Sequence, residues 1–123
     1  MQIRDQRLER ITNSIKIITA MIVVITGALA NLAVVAFNGG QMPVITEEFI
    51  YESGMHKTYT TCENVVLCPF SDIINIGIGY ASVGDFLILL GVLAGFYIMI
   101  KGYYKKIRNY FKMRKELRDL QND

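Results

Sequence analysis

Tryptophan is absent, histidine occurs once and cysteine twice. The single imidazole, His56, leaves no histidine beside a Ser or Cys nucleophile. With Cys62 and Cys68 it makes an incomplete zinc set at unconvincing spacing. No Gly-rich phosphate loop runs into Lys-Ser/Thr, and no paired carboxylates stand at helical spacing in an apolar run. Repeats and low-complexity tracts are missing too. These absences argue against an enzyme, and no cofactor or metal is expected.

Charge is also missing, in two patterns. Residues 17–37 carry no charge at all, and at about 1.5 Å of rise per residue this run crosses a hydrocarbon core of roughly 30 Å. A second apolar run fills residues 86–100, inside a span expected over 83–100. Between them, positive charge is reduced to Lys57, set against Glu47, Glu48, Glu52, Glu63 and Asp72. Arg4, Arg7, Arg10 and Lys16 precede or open the first run, and eight basic residues follow the second, from Lys101 to Arg118. Basic flanks stay in the cytoplasm, so both termini are expected inside and residues 38–82 outside. The basic tail starts at a membrane boundary, which argues against nucleic acid as its partner. The first run is too long for a signal-peptide core, and Asn38-Gly39-Gly40-Gln41-Met42-Pro43 is a poor cleavage site.

The expected fold is an all-α membrane protein at the cell membrane: a hairpin of two transmembrane helices, a structured extracytoplasmic loop and a long cytoplasmic C-terminal helix. Its parts are an amphipathic helix over 1–16, spans over 17–37 and 83–100, the loop over 38–82 and a basic helix over 101–123. Ile3, Leu8, Ile11 and Ile15 keep one face of the first segment, either as an extension of the first span or as an interfacial helix bending near Asn13-Ser14. In the tail, Ile107, Tyr110, Phe111, Leu117 and Leu120 continue a stripe, with Lys112–Glu116 and Lys115–Asp119 as four-apart pairs. Lys101, Lys105, Lys106 and Arg108 would meet anionic lipid headgroups.

Within the spans, small residues mark close helix approach. Gly27 and Asn31 share a face of the first; Gly84, Gly91, Gly95 and Gly102 share one of the second. Asn31 lies at mid-depth in hydrocarbon, where its amide either bonds a neighbouring helix or lines a solute path. Asn38, Gly39 and Gly40 end the first helix, with Met42-Pro43 beyond, in a tight return of the chain. Ser82-Val83-Gly84-Asp85 fits a capping box, Ser82 as N-cap and Asp85 at N3; the rival for Asp85 is a cation- or proton-carrying carboxylate. In the loop, residues 58–61 and 65–67 are rich in strand formers, and residues 71–80 form a Gly-broken apolar stretch, surface-lying or re-entrant. Cys62 and Cys68 can close a disulfide on the oxidising side; free thiols or half a metal site are the rivals.

Asn31, then Asn38-Gly39-Gly40-x-Met42-Pro43-Val44, Asp72-Ile73-Ile74 and Ser82-x-Gly84-Asp85 before Gly91 resemble a family of small bacterial membrane proteins known only as a domain of unknown function. The likeness covers residues 27–95. It implies that Asn31, Asn38, Met42, Pro43, Ser82 and Asp85 gather near the outer leaflet, and it implies no activity. The function expected is a non-enzymatic accessory or scaffold subunit of a larger membrane assembly, with other membrane subunits and anionic lipids as partners. The alternatives are a holin-like pore former and a small homo-oligomeric transporter or channel using Asn31 and Asp85.

Overall fold

The computed structural model describes residues 2–47 and 54–122. Two long antiparallel helices, α1 (Gln2–Phe37) and α2 (Val83–Asn122), lie side by side, and the described residues between them fold into a small cap on the end where α1 stops and α2 starts. The 36 and 40 residues of the helices correspond to about 54 and 60 Å. Both are long and apolar enough to cross a membrane. Neither breaks: α1 runs through Asn13-Ser14 and α2 through Gly102. The helical extensions of both apolar runs are therefore continuous with them.

Large apolar side chains point outward along both helices. Ile18, Ile22, Leu29 and Leu32 of α1, and Leu89, Leu90, Leu93 and Phe96 of α2, are all exposed. That is the inverse of a water-soluble domain, where such patches are small. The stripes at the far end are equally open: Leu8, Ile11 and Ile15 on α1, Tyr110, Phe111 and Leu117 on α2. The side chains of Ile3 and Leu120 lie outside the described residues.

Contact between the helices follows a seven-residue seam. Ala20 and Gly27 are buried on α1, against Gly91 and Gly84 of α2, which are buried in turn. A Cβ on Gly27 would stand 2.5 Å from the Gly84 carbonyl oxygen, and one on Gly91 2.8 Å from the Ala20 carbonyl oxygen. Hydrogen is the only side chain that lets the backbones come so close. A seven-residue repeat of small residues suits two helices crossing at a shallow angle. Further along, the seam loosens. A Cβ on Gly95 or Gly102 would meet nothing within 4 Å, so the close-packed face expected at Gly84, Gly91 and Gly95 stops at Gly91. At the far end Lys105 of α2 pairs with Glu9 of α1.

The cap corrects the all-α expectation, because it contains two small sheets. Its first strand, β1 (Met42–Ile45), pairs in parallel with β2 (His56–Tyr59), Met42 opposite His56 and Ile45 opposite Tyr59. On its other edge, the Ile45 N–H donates to the Asp72 carbonyl and the Asp72 N–H to the Pro43 carbonyl, both at 3.0 Å. β1 is thus the centre of the cap, with Met42, Pro43 and Val44 all buried. The stretch 71–80, expected as a re-entrant or surface turn, contributes instead to a short hairpin: β3 (Ile74–Asn75) lies antiparallel to β4 (Tyr80–Ala81). Gly77, at φ +84°, turns it, and the Asn75 Oδ1 accepts from the Gly77 N–H at 2.8 Å. Of the two expected strand-forming stretches, 58–61 supplies the end of β2. Residues 65–67 form a turn into a short 3₁₀ helix (Cys68–Phe70), with Leu67 left-handed at φ 57°. Cys62 and Cys68 are joined there as a disulfide, their Cα atoms 5.7 Å apart.

Candidate functional site at the capped end

The end of α1 is built as the sequence pattern requires. The Gly40 N–H donates to the Val35 carbonyl at 2.9 Å, the six-to-one bond of a Schellman ending, with Gly39 at φ +72° and Gly40 at +86°. Two successive left-handed residues reverse the chain and feed Met42 and Pro43 straight into β1. Asn38 reinforces the ending: its Nδ2 donates to the Val34 carbonyl at 2.7 Å.

The start of α2 is a reciprocal cap. The Asp85 N–H donates to Ser82 Oγ at 3.1 Å, and the Ser82 N–H donates to Asp85 Oδ2 at 2.9 Å. Two of the helix's free N–H groups are satisfied this way. Asp85 also stands in the first turn, where the helix dipole favours negative charge.

Asn31 closes the arrangement. Its Nδ2 donates to Asp85 Oδ1 at 2.7 Å, and its Oδ1 accepts from Ser82 Oγ at 2.8 Å. Asn31, Ser82 and Asp85 therefore form a ring: the Asn31 side chain bonds the side chains of both others, and Ser82 and Asp85 are tied to each other through their backbone N–H groups. Room for the amide comes from Gly84: a Cβ there would lie 1.9 Å from Asn31 Oδ1. Asn31 thus reaches the first turn of α2 beneath the cap.

Beside the ring opens a cleft of about 280 Å³, lined by Asn31, Val35, Met42, Met55, His56, Asp72 and Asp85, among others. Asp72 is buried, with His56 Nε2 3.7 Å from its Oδ2. Its carboxyl is pushed up to about 6, chiefly by burial and secondarily by the charge of Asp85, with His56 opposing. Its Oδ1 has no hydrogen-bond partner among the described residues.

The cleft and its ring lie wholly within the segment that decides the family. The chain belongs to the family of unknown function DUF5317, whose model matches residues 12–98. No curated protein and no solved structure matches it. The match encloses the expected span of likeness, 27–95, and stops where the α2 tail continues.

The other sequence-derived residues fall as follows. Gly27, Asn31, Gly84 and Gly91 meet at the helix seam, whereas Gly95 lines an apolar groove between the helices with Met21, Val24, Phe96 and Met99. Asn38, Met42, Pro43, Ser82 and Asp85 converge on the cap. Lys101, Lys105, Lys106 and Arg108 are exposed on the α2 tail, Lys105 already engaged with Glu9. The sequence alone does not mark Asp72 and His56 as one site. A lone carboxylate between Phe70 and Ile73-Ile74 is the sequence sign of a buried Asp. The approach of His56 depends on the β1–β2 register and has no local sign.

Proposed function

We propose that this chain is a non-enzymatic subunit of a membrane assembly, crossing the membrane twice with both termini in the cytoplasm and the cap outside. The observation that carries the reading is the outward display of large apolar side chains along both helices, from Ile18 to Leu32 and from Leu89 to Phe96. Such surface needs lipid or protein around it. The charge pattern supports the orientation: Arg4, Arg7, Arg10 and Lys16 lie beyond one end of the apolar runs with the α2 tail, and the cap segment holds Lys57 alone.

Docking would use three surfaces. One is the apolar groove at Gly95, Phe96 and Met99. The second is the cap. The third is the exposed Tyr110, Phe111 and Leu117 stripe of the tail, whose Lys112 and Glu116 stand 3.9 Å apart on another face. Anionic headgroups would meet Lys101, Lys106 and Arg108. The ring of Asn31, Ser82 and Asp85 favours a structural role for these residues over a transport path, since each already holds the others.

Native mass spectrometry of the protein extracted from its own membrane in mild detergent tests the reading. A stoichiometric heteromeric mass is expected. A homo-oligomer alone would overturn it and move attention to the pore and transporter alternatives, to be followed by conductance and flux.

A further inference from the structure

The cleft beside the Asn31–Ser82–Asp85 ring is unbalanced in charge. Two carboxylates line it, Asp72 and Asp85, and the basic side chain among its lining residues is His56. Asp72 is only 5% exposed, and its Oδ1 has no donor among the described residues. A buried carboxylate with an unused acceptor is costly. Its backbone already holds the cap to β1 through the bonds to Pro43 and Ile45, which any residue's backbone can make. The side chain is the part that calls for a partner.

The chemistry of that partner follows from what the cleft offers. A carboxylate only accepts, so the partner must donate N–H or O–H, and two carboxylates favour a positive one. Among the described residues no three His, Cys, Asp or Glu side chains converge as metal ligands. The volume of about 280 Å³ exceeds what a bare ion fills and approaches the lower end of small-molecule sites. Val35, Met42 and Met55 supply apolar walls, and thioether side chains adapt to a short aliphatic stem.

We propose that the cleft binds a primary ammonium group on a short stem, with Asp72 and Asp85 as its counter-charges and Asn31 holding Asp85 in position. Two sources carry this chemistry. One is the headgroup of phosphatidylethanolamine, a choice that rests on the membrane reading above. The other is a free amine, which does not.

The test uses the full-length protein in nanodiscs of phosphatidylglycerol, with and without phosphatidylethanolamine. Native mass spectrometry reads which lipid is retained. Ethanolamine titrated into phosphatidylglycerol-only discs, followed by the methyl resonances of Met42 and Met55, reads the free amine. Selective retention of phosphatidylethanolamine, or a saturable methyl shift with ethanolamine, is expected, each weakened at least about tenfold by Asp72→Asn. Retention alone assigns the lipid, the shift alone the free amine. Equal retention of both lipids with no saturable shift overturns the proposal, as does undiminished binding by the variant. Asp72→Asn keeps the shape of the side chain and is expected to melt no lower than the parent, so a loss of binding is separable from unfolding. Failure to enter nanodiscs would overturn the membrane reading instead, and the ethanolamine titration would then be run in buffer.

Discussion

The side chain of Asn38 pairs with the backbone of Val66 as a neighbouring strand would. Its Nδ2 donates to the Val66 carbonyl at 2.8 Å, and its Oδ1 accepts from the Val66 N–H at 3.0 Å. The end of α1 is thereby fastened to the disulfide loop, which lies 28 residues away in sequence. Asn38→Ala removes both bonds and the bond to Val34. Because Val66 is half exposed, water replaces part of the loss, and a cost of about 1–2 kcal/mol is expected. Thermal melting followed by circular dichroism measures it. The loop should also open more readily, so the Cys62–Cys68 bond of the variant is expected to be reduced faster by dithiothreitol; an unchanged rate would mean that Asn38 does not restrain it.

The glycines of α2 divide into two pairs. Alanine at Gly84 drives a methyl into the Asn31 amide and the Gly27 backbone, and at Gly91 into Val24 and the Ala20 backbone, for an expected cost of about 1–3 kcal/mol or more. Alanine at Gly95 or Gly102 meets open space and gains up to about 1 kcal/mol of helix propensity. Melting temperatures of the four single variants decide this. Equal destabilisation at all four would refute the seam as described.

Asp72 makes stability depend on pH. Its folded value, about 6, lies above the ordinary carboxylate value, so the folded state binds its proton more tightly than the unfolded state does. The contribution is fully present below about pH 4 and is lost as pH rises through about 6, a span of roughly 2 to 3 kcal/mol. Asp72→Asn is expected to flatten this slope and to be the more stable protein at pH 7.5. Chemical denaturation at several pH values checks both statements, with retention of the slope in the variant as the contrary result.

The Glu9–Lys105 pair is about half exposed on both sides, where ion pairs contribute little. Glu9→Ala is expected to cost less than about 1 kcal/mol. Whatever it does cost should fade in high salt. Denaturation of parent and variant at low and high salt measures this.

Both helices were legible because apolar runs of fifteen residues or more and a one-sided charge distribution are properties of composition along the chain. Ser82 and Asp85 were legible as a cap because a capping box is local. Asn38 and Gly39 likewise announce a helix end. The cap's sheets were not. β1 contains Pro43 and is only four residues long, and its pairing depends on β2 and Asp72, neither adjacent in sequence. The cleft fails for the same reason. Asn31, His56, Asp72 and Asp85 come from four separate stretches, and only the fold sets His56 beside Asp72. Gly95 misled because small residues at i and i+4 share a face whether or not a neighbour covers it. The seam follows every seventh residue and leaves Gly95 beside it.

The missing side chain at Gly84 also sets the zero of a ruler. Screwing α2 by one residue, about 1.5 Å along its axis with about 100° of turn, would put Val83 or Asp85 where Asn31 now enters, and either would block it. The fit of Asn31 over Gly84 therefore pins the alignment of the two helices at the capped end. Everything further down α2 is measured from that point, including the level at which Lys105 meets Glu9 and the height at which Tyr110 and Phe111 are offered. A substitution at Gly84 would thus be felt at the far tip of the molecule as a shift in position, even where every residue of the tail is unchanged.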